Sequence, residues 1–277
     1  MITFRPWYDD VRRACIVDPL NVHRLETRQH GMRLGKTSAW IFNHAIGGGQ
    51  ANFDEPIDDL EPIDRVMLYA LFNQKGHVPE LIHAFSQLVD DPWQLNGATM
   101  LDIGCGPFTA GLALANVLGG DVAFRYYGVD LSAQMCSFGA KLAEATKATG
   151  GLNSQTHVEF KASADDIDFG KLRSSRTLVV LSYLLASKSL NIELIVRQIV
   201  DACARIGHGE VTILYTNSAL PERRAAFPEL EHRLVASGFT CNVVDTELLA
   251  DGEMRRNIHY ALFTRPPQPI PLSAFKP

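Results

Sequence analysis

The sequence predicts an α/β fold: a mostly parallel seven-stranded sheet with helices on its faces, a C-terminal antiparallel hairpin and a helical N-terminal extension. Three observations predict it. From residue 97 onward, short apolar runs alternate with segments of helical periodicity, the order a parallel sheet requires. Near the end, two strand-like runs flank a glycine-bearing turn, Ala250-Asp251-Gly252-Glu253. Before residue 97, apolar residues recur at near-helical spacing.

The elements follow in order. Helices are expected over 20–34, 37–46, 62–74 and 78–90. In the last two, Val66, Leu68, Tyr69, Leu71 and Phe72, then Leu81, Ile82, Phe85, Leu88 and Val89, make apolar stripes. Between the two pairs, Gly47-Gly48-Gly49 opens a loop that runs into the acidic residues 54–64. Strands are expected over 99–103, 124–130, 157–161, 177–182 and 210–217, with helices over 109–118, 132–148, 191–206 and 222–237. The hairpin spans 239–246 and 256–264. The prolines from Pro266 to Pro271 cannot enter a sheet interior and predict an extended tail. The chain thus divides into a helical cover over 1–96, an α/β domain over 97–266 and a Pro-rich tail over 267–277.

Residues 100–111 carry the most information. Met100-Leu101-Asp102-Ile103 reads as a strand ending in a carboxylate; Gly104-Cys105-Gly106 is a glycine turn; a small-residue helix starts near Thr109. Glycines there let backbone approach a ligand without a Cβ in the way, and the helix start offers unpaired N–H groups. A second strand then ends in Asp130, an acid able to accept from both hydroxyls of a ribose. The pair marks a βαβ nucleotide-binding unit. Pro107 and Thr109 break the Gly-x-Gly-x-x-Gly pattern of dinucleotide sites and disfavour a nicotinamide-dependent oxidoreductase.

Leu101-Asp102-Ile103-Gly104-Cys105-Gly106-Pro107 resembles the first motif of class I S-adenosylmethionine (SAM)-dependent methyltransferases, and Tyr127-Gly128-Val129-Asp130-Leu131-Ser132 is similar to the second. The resemblance covers about residues 97–266. It implies a Rossmann-like fold, SAM as cofactor and S-adenosyl-L-homocysteine as product. By it, Asp102, Gly104, Cys105 and Gly106 line the methionine part of SAM, Asp130 holds the ribose and Leu131 flanks the adenine. Phe108 departs from the family, where many members carry glycine; a bulky side chain there would narrow the methionine end. The family's adenine-binding acid falls near Ser163–Ala164 counted from the third strand and near Asp165 counted from Ile167; Asp165 is the residue expected. Ser182 and Tyr183, ending the fourth strand, fall where the family places residues beside the transferable methyl. The segment is neither Asp-Pro-Pro-Tyr nor Pro-Cys, so it lacks the clamp for an exocyclic amine and the cysteine that adds to pyrimidines.

A methyltransferase must align its acceptor, exclude water and, for an O–H or N–H⁺ acceptor, remove a proton. Candidate bases are His44, His77, His83, His259 and Tyr183. Tyr183 and His44 are the catalytic residues expected, His44 because it adjoins the glycine loop. No His, Asp or Glu cluster has metal-ligand spacing.

With 46% hydrophobic and 21% charged residues, the 277-residue chain reads as an ordinary globule. A net charge of −5 argues against a broad nucleic-acid-binding face, although residues 5–36 are locally basic. A small-molecule acceptor is therefore expected ahead of RNA, with a non-catalytic SAM-binding module as a further alternative. Five cysteines without a CxxC pair suggest reduced thiols in a cytoplasm and no structural zinc. Cys105 reads as a packing residue. No apolar run reaches membrane-span length and no signal peptide opens the chain. The pattern leaves the oligomeric state open.

Overall fold

The computed structural model describes residues 2–22, 32–33, 35–187, 190–251 and 254–268. Seven strands form one sheet: β1 (Thr99–Ile103), β2 (Arg125–Val129), β3 (His157–Lys161), β4 (Arg176–Ser182), β5 (Glu210–Ser218), β6 (Thr240–Asp251) and β7 (Met254–Arg265). Their spatial order is β3-β2-β1-β4-β5-β7-β6. The first five are parallel, whereas β7 runs antiparallel to both β5 and β6. This is the Rossmann-like α/β sheet with a terminal hairpin that the sequence predicts.

Among the described residues, seven helices accompany the sheet: α1 (6–22), α2 (38–45), α3 (62–88), α4 (Thr109–Leu118), α5 (Ala133–Ala148), α6 (Ile192–Ile206) and α7 (Phe227–Ala236). Strand period two sends alternate residues to opposite faces. Met100, Tyr126, Leu178 and Leu214 join a core with α1, α3, α4 and α5, while Leu101, Tyr127, Val179 and Ile213 join a second core with α6 and α7. The N-terminal region has no separate core: Trp7, Ile41, Val66 and Phe85 pack in the same cluster as Met100 and Leu112.

The N-terminal elements depart from expectation. A helix was expected over 20–34. Instead α1 occupies 6–22, residues 32–33 pair with 36–37 in a short antiparallel ribbon, and 23–31 and 34 lie outside the described residues. Trp7, Tyr8, Val11 and Cys15 have helical spacing and Pro6 stands in the first turn, where a proline suits a helix start, while Pro19 sits further along the same helix. The two helices expected at 62–74 and 78–90 are continuous as α3, with a wider i→i+5 turn at Ala70–Gln74. Of the tail, Pro266–Gln268 has no regular secondary structure and Gln268 N donates to His208 O (2.8 Å); residues 269–277 lie outside the described residues. Among the described residues, no helix is long and apolar enough to cross a membrane.

Candidate functional site

The strand order reverses between β1 and β4, and a crevice opens there outside the carboxyl ends of the strands. Such switch points are where open α/β sheets bind ligands. The glycine turn after β1 hooks over β2: Gly104 N and Cys105 N both donate to Val129 O, at 2.8 and 3.0 Å. Gly104 (φ 72°) and Gly106 (φ 51°) are left-handed, and a Cβ on Gly104 would lie 2.8 Å from Leu184 Cδ1. Gly106 N donates to Asp130 Oδ2 (2.9 Å) and Ser132 N to Asp130 Oδ1 (2.9 Å). Each carboxylate oxygen thus retains acceptor capacity toward a ligand. Burial raises the Asp130 pKa against the pull of these two N–H groups. Leu131 beside it is 90% exposed.

Asp102 is buried and accepts from the Tyr126 hydroxyl at 2.7 Å. Burial, opposed by Tyr126 and aided by the nearby Asp130, pushes its pKa up to about 7. Phe108 does not narrow the methionine end as expected. Its left-handed backbone (φ 66°) turns the ring away from the cavity into the core. There it meets Tyr126 edge-on at 4.8 Å and Phe160 at 6.0 Å. Gly111 leaves the room, since a Cβ there would collide with the Phe108 ring.

Helix α3 covers the crevice. Tyr69 and His77 from α3, with Asp102, Gly104, Cys105, Thr109, Ala110 and Ser182, line the remaining cavity. The wide turn at Ala70–Gln74 brings residues five apart toward one face, so Gln74 joins Tyr69 over the glycine turn. Gln74 Nε2 donates to Pro107 O (2.9 Å). His77 stacks on Tyr183 (ring centroids 3.8 Å, 14° between planes). Burial and the Arg256 guanidinium push its pKa down to about 3, so the imidazole is neutral. Tyr183, left-handed at φ 57°, has its hydroxyl beside Glu80. Glu80 is 1% exposed and lies 3.0 Å from Arg256 Nη1. Burial outweighs Arg256 and Tyr183 and raises its pKa to about 7.

A strap completes the cover. Gln50 Nε2 donates to Ala186 O beyond β4. Four residues on, the Asp54 carboxylate accepts from Ser132 Oγ (2.8 Å), Ala133 N (3.1 Å) and Gln134 N (2.9 Å), capping α5 from outside. These N–H bonds hold the Asp54 pKa below its ordinary value despite some burial. The loop therefore spans from the β4 side of the crevice to the β2 side.

The expected site residues thus divide. Asp102, Gly104, Cys105, Gly106, Asp130 and Ser182 converge on the crevice, and Tyr183 borders it through His77. Thr216 Oγ1 donates to Ser182 Oγ (3.1 Å). His44 does not converge: it is exposed, 5.6 Å from the Trp40 ring, and only the loop after it reaches the site. Asp165 is exposed on a turn capped by Ser163, whose Oγ accepts from Asp165 N (3.2 Å). His83 pairs with Glu247 at 3.0 Å, and buried His259 packs between Tyr215 and Phe227. Tyr69, Gln74, Glu80, Asp54 and Arg256 belong to the site without any motif marking them. Glycine at 76 was a usable signal, since a Cβ there would collide with Arg256.

The side chains fit a nucleoside cofactor such as SAM through two carboxylates with acceptor capacity, Asp102 and Asp130, while the amide N–H groups of the glycine turn are already bonded to Val129 O and Asp130. Space is the constraint. The cavity amounts to about 10 Å³, room for about one water, against about 300–1,000 Å³ for typical small-molecule sites. Filling it requires α3 and Leu184 to draw back.

No family model matches the chain. No curated protein matches it either. Among solved structures, it is similar to magnesium protoporphyrin IX methyltransferase from Synechocystis PCC 6803 with bound SAM (15% identity, 96% of this chain and 100% of that chain, TM-score 0.42). It is also similar to a SAM-dependent methyltransferase from Methanosarcina mazei (17%, 65% and 98%, TM-score 0.41) and to precorrin-6y methyltransferase from Geobacter metallireducens (14%, 68% and 87%, TM-score 0.41). Similarity at this level leaves the assignment of the site to the chain's own residues.

Proposed function

We propose that the chain is a SAM-dependent methyltransferase acting on an O or N atom of a small or medium-sized acceptor. The observation that carries the reading is the 2.9 Å hydrogen bond from Gly106 N to Asp130 Oδ2 at the switch point. It joins a glycine cradle and a ribose-type acceptor in one corner. In this reading Asp130 serves the ribose hydroxyls, Leu131 flanks the adenine and Asp165 takes the adenine amino group. Asp102, Gly104, Cys105 and Gly106 border the methionine part, with Ser182 at the methyl end.

When bound, SAM supplies a methyl group on a sulfonium, which needs little activation. The chain's work is then orientation and exclusion of water; orientation alone lowers barriers by about 7–11 kcal/mol in favourable cases. Tyr69, His77 and Leu184 form the wall that excludes water. His77, neutral at working pH, accepts a hydrogen bond from an acceptor O–H or N–H. Tyr183 backs its ring and is fixed in turn by Glu80.

Two of the basic N-terminal residues are engaged within the fold, which supports a small acceptor over RNA. Arg5 Nε donates to Asn116 O (2.8 Å), and Lys36 pairs with Asp58 (3.1 Å) and Asp59 (3.4 Å). The tight cavity favours one further reading, a SAM-binding module without turnover. Calorimetry with SAM, S-adenosyl-L-homocysteine and NAD tests the proposal. Micromolar binding of both sulfur compounds and none of NAD is expected; absence of sulfur-cofactor binding refutes it. Binding without methyl transfer to any panel of acceptors selects the module.

A further inference from the structure

The glycine cradle is filled by the chain's own side chains. A Cβ on Gly104 would lie 2.8 Å from Leu184 Cδ1, and one on Gly106 would lie 3.7 Å from Tyr69 Cε1 and 3.8 Å from the Tyr69 hydroxyl. The opposite edge of the Tyr69 ring faces the strap: a Cβ on Gly49 would lie 3.3 Å from Tyr69 Cε2. Phe53, also in the strap, meets the ring edge-on at 5.5 Å. Tyr69 is thus wedged between the strap and the turn, on the surface that glycines leave open to a ligand.

The strap has fixed roots and a glycine-built tip. The buried Arg65 holds the roots: Nε donates to Ala45 O (2.8 Å), and Nη1 to Asn52 O (2.6 Å) and to Glu55 O. Between them, residues 47–51 form a turn closed on itself by bonds from Gly49 N to Ile46 O (2.7 Å) and from Gln50 N to Gly47 O (3.2 Å). Gly47, Gly48 and Gly49 all have positive φ, at 53°, 62° and 96°, and glycine backbone re-bends at little steric cost. The tip reaches across the crevice through the exposed Gln50, whose Nε2 donates to Ala186 O.

We propose that the 47–51 tip is a gate and the Tyr69 ring a plug that it holds in the glycine cradle, an autoinhibitory contact that the cofactor must displace. Opening breaks the Gln50–Ala186 hydrogen bond and draws Gly49 off the ring. The ring then turns away from Gly106 about its own Cα–Cβ bond, while the core packing of Val66 and Leu68 on the same helix stays in place. The cofactor binds the open form, so its apparent affinity is reduced by the fraction of chains that are open. The effect on affinity rests on the SAM reading above; the gate does not.

The experiment compares the full chain with Gln50→Ala, Tyr69→Phe and Tyr69→Ala, by amide exchange at residues 47–51 and 104–106 and by calorimetry with SAM. Gln50→Ala changes an exposed side chain and leaves the core intact. It is expected to speed exchange in both segments and to tighten SAM binding about fivefold, the worth of one hydrogen bond. Tyr69→Phe keeps the ring, and exchange at 104–106 is expected to stay at the parent rate. Tyr69→Ala is expected to speed exchange at 104–106 the most and to bind SAM more tightly than Gln50→Ala does. Unchanged exchange at 104–106 in both Gln50→Ala and Tyr69→Ala overturns the proposal. So does SAM binding that Gln50→Ala leaves unchanged or that Tyr69→Ala weakens, which would make the ring a contact of the cofactor. If no form binds SAM, the proposed function fails, and the exchange data still decide the gate.

Discussion

Phe108 and Tyr183 both hold left-handed backbone, one on each side of the crevice. A side chain in that region costs about 1–2 kcal/mol, so each must be held by its packing. For Phe108 the packing is the stronger term: Phe108→Gly relieves the backbone but empties a fully buried site, and loss of a core Phe costs about 3–5 kcal/mol. A net loss of about 2 kcal/mol is expected in urea unfolding; a stabilised variant would show that strain dominates. Asp102 and Glu80 make a second prediction, on pH. Burial raises both to about 7 in the folded chain, whereas unfolded carboxyls release their protons near pH 4. Between those values the folded state holds more protons, so stability falls as pH rises from about 4 to 7, by up to about 1.4 kcal/mol per unit for each group. Asp102→Asn keeps an acceptor for Tyr126 and is expected to flatten this slope in urea midpoints between pH 4.5 and 7.5. An unchanged slope excludes Asp102 as its source. Asp130→Ala is expected to weaken SAM binding at least tenfold, a loss of about 1.4 kcal/mol or more; calorimetry reads it directly, and unchanged affinity removes Asp130 from the ribose site.

Helix α3 and the strap before it decide whether the crevice is open. Beside the apolar packing of Val66, Leu81 and Phe85, their polar ties include Gln74 on Pro107, Glu80 on Arg256 and Asp54 on α5. Asp54→Ala removes an external helix cap, a loss of about 1 kcal/mol. Faster amide exchange at 47–56 and at 132–135 is the expected sign, with little change in the sheet. The Glu80–Arg256 pair ties α3 to β7. Arg256→Met leaves a buried carboxylate without its cation, at a cost of about 2–3 kcal/mol. This is less than for a fully enclosed pair, because the Arg256 side chain is 28% exposed. Adding Glu80→Gln to Arg256→Met is expected to restore much of that stability, most clearly above pH 7, where the acid is ionised. A double variant no better than the single one would mean that Arg256 contributes through packing on Gly76 instead.

Over the whole molecule, the chain's net charge of −5 and the engagement of Arg5 and Lys36 predict weak RNA retention with a near-zero salt slope. A steep fall with salt in a filter assay would favour an RNA acceptor. The sheet beyond residue 97 was legible in the sequence because strand and helix periods are local. Met100 and Leu101 point to opposite cores simply because a strand alternates. The glycine turn and Asp130 were legible for a related reason: 24 residues span one βαβ unit, and its geometry sets their meeting. The cover was not. Glu80 and Arg256 lie far apart in sequence, and nothing in either neighbourhood marks the other. Pro79 stands inside α3, where two separate helices were expected. Phe108 looked like an obstruction because a sequence gives a residue's size but not its direction. Direction came from the positive φ at Phe108 and the space above Gly111. The sequence by itself therefore determined the sheet, its order of elements and the corner made by the glycine turn and Asp130. Only the tertiary structure decided which helix closes that corner, because closure depends on non-local packing that leaves no period in the chain.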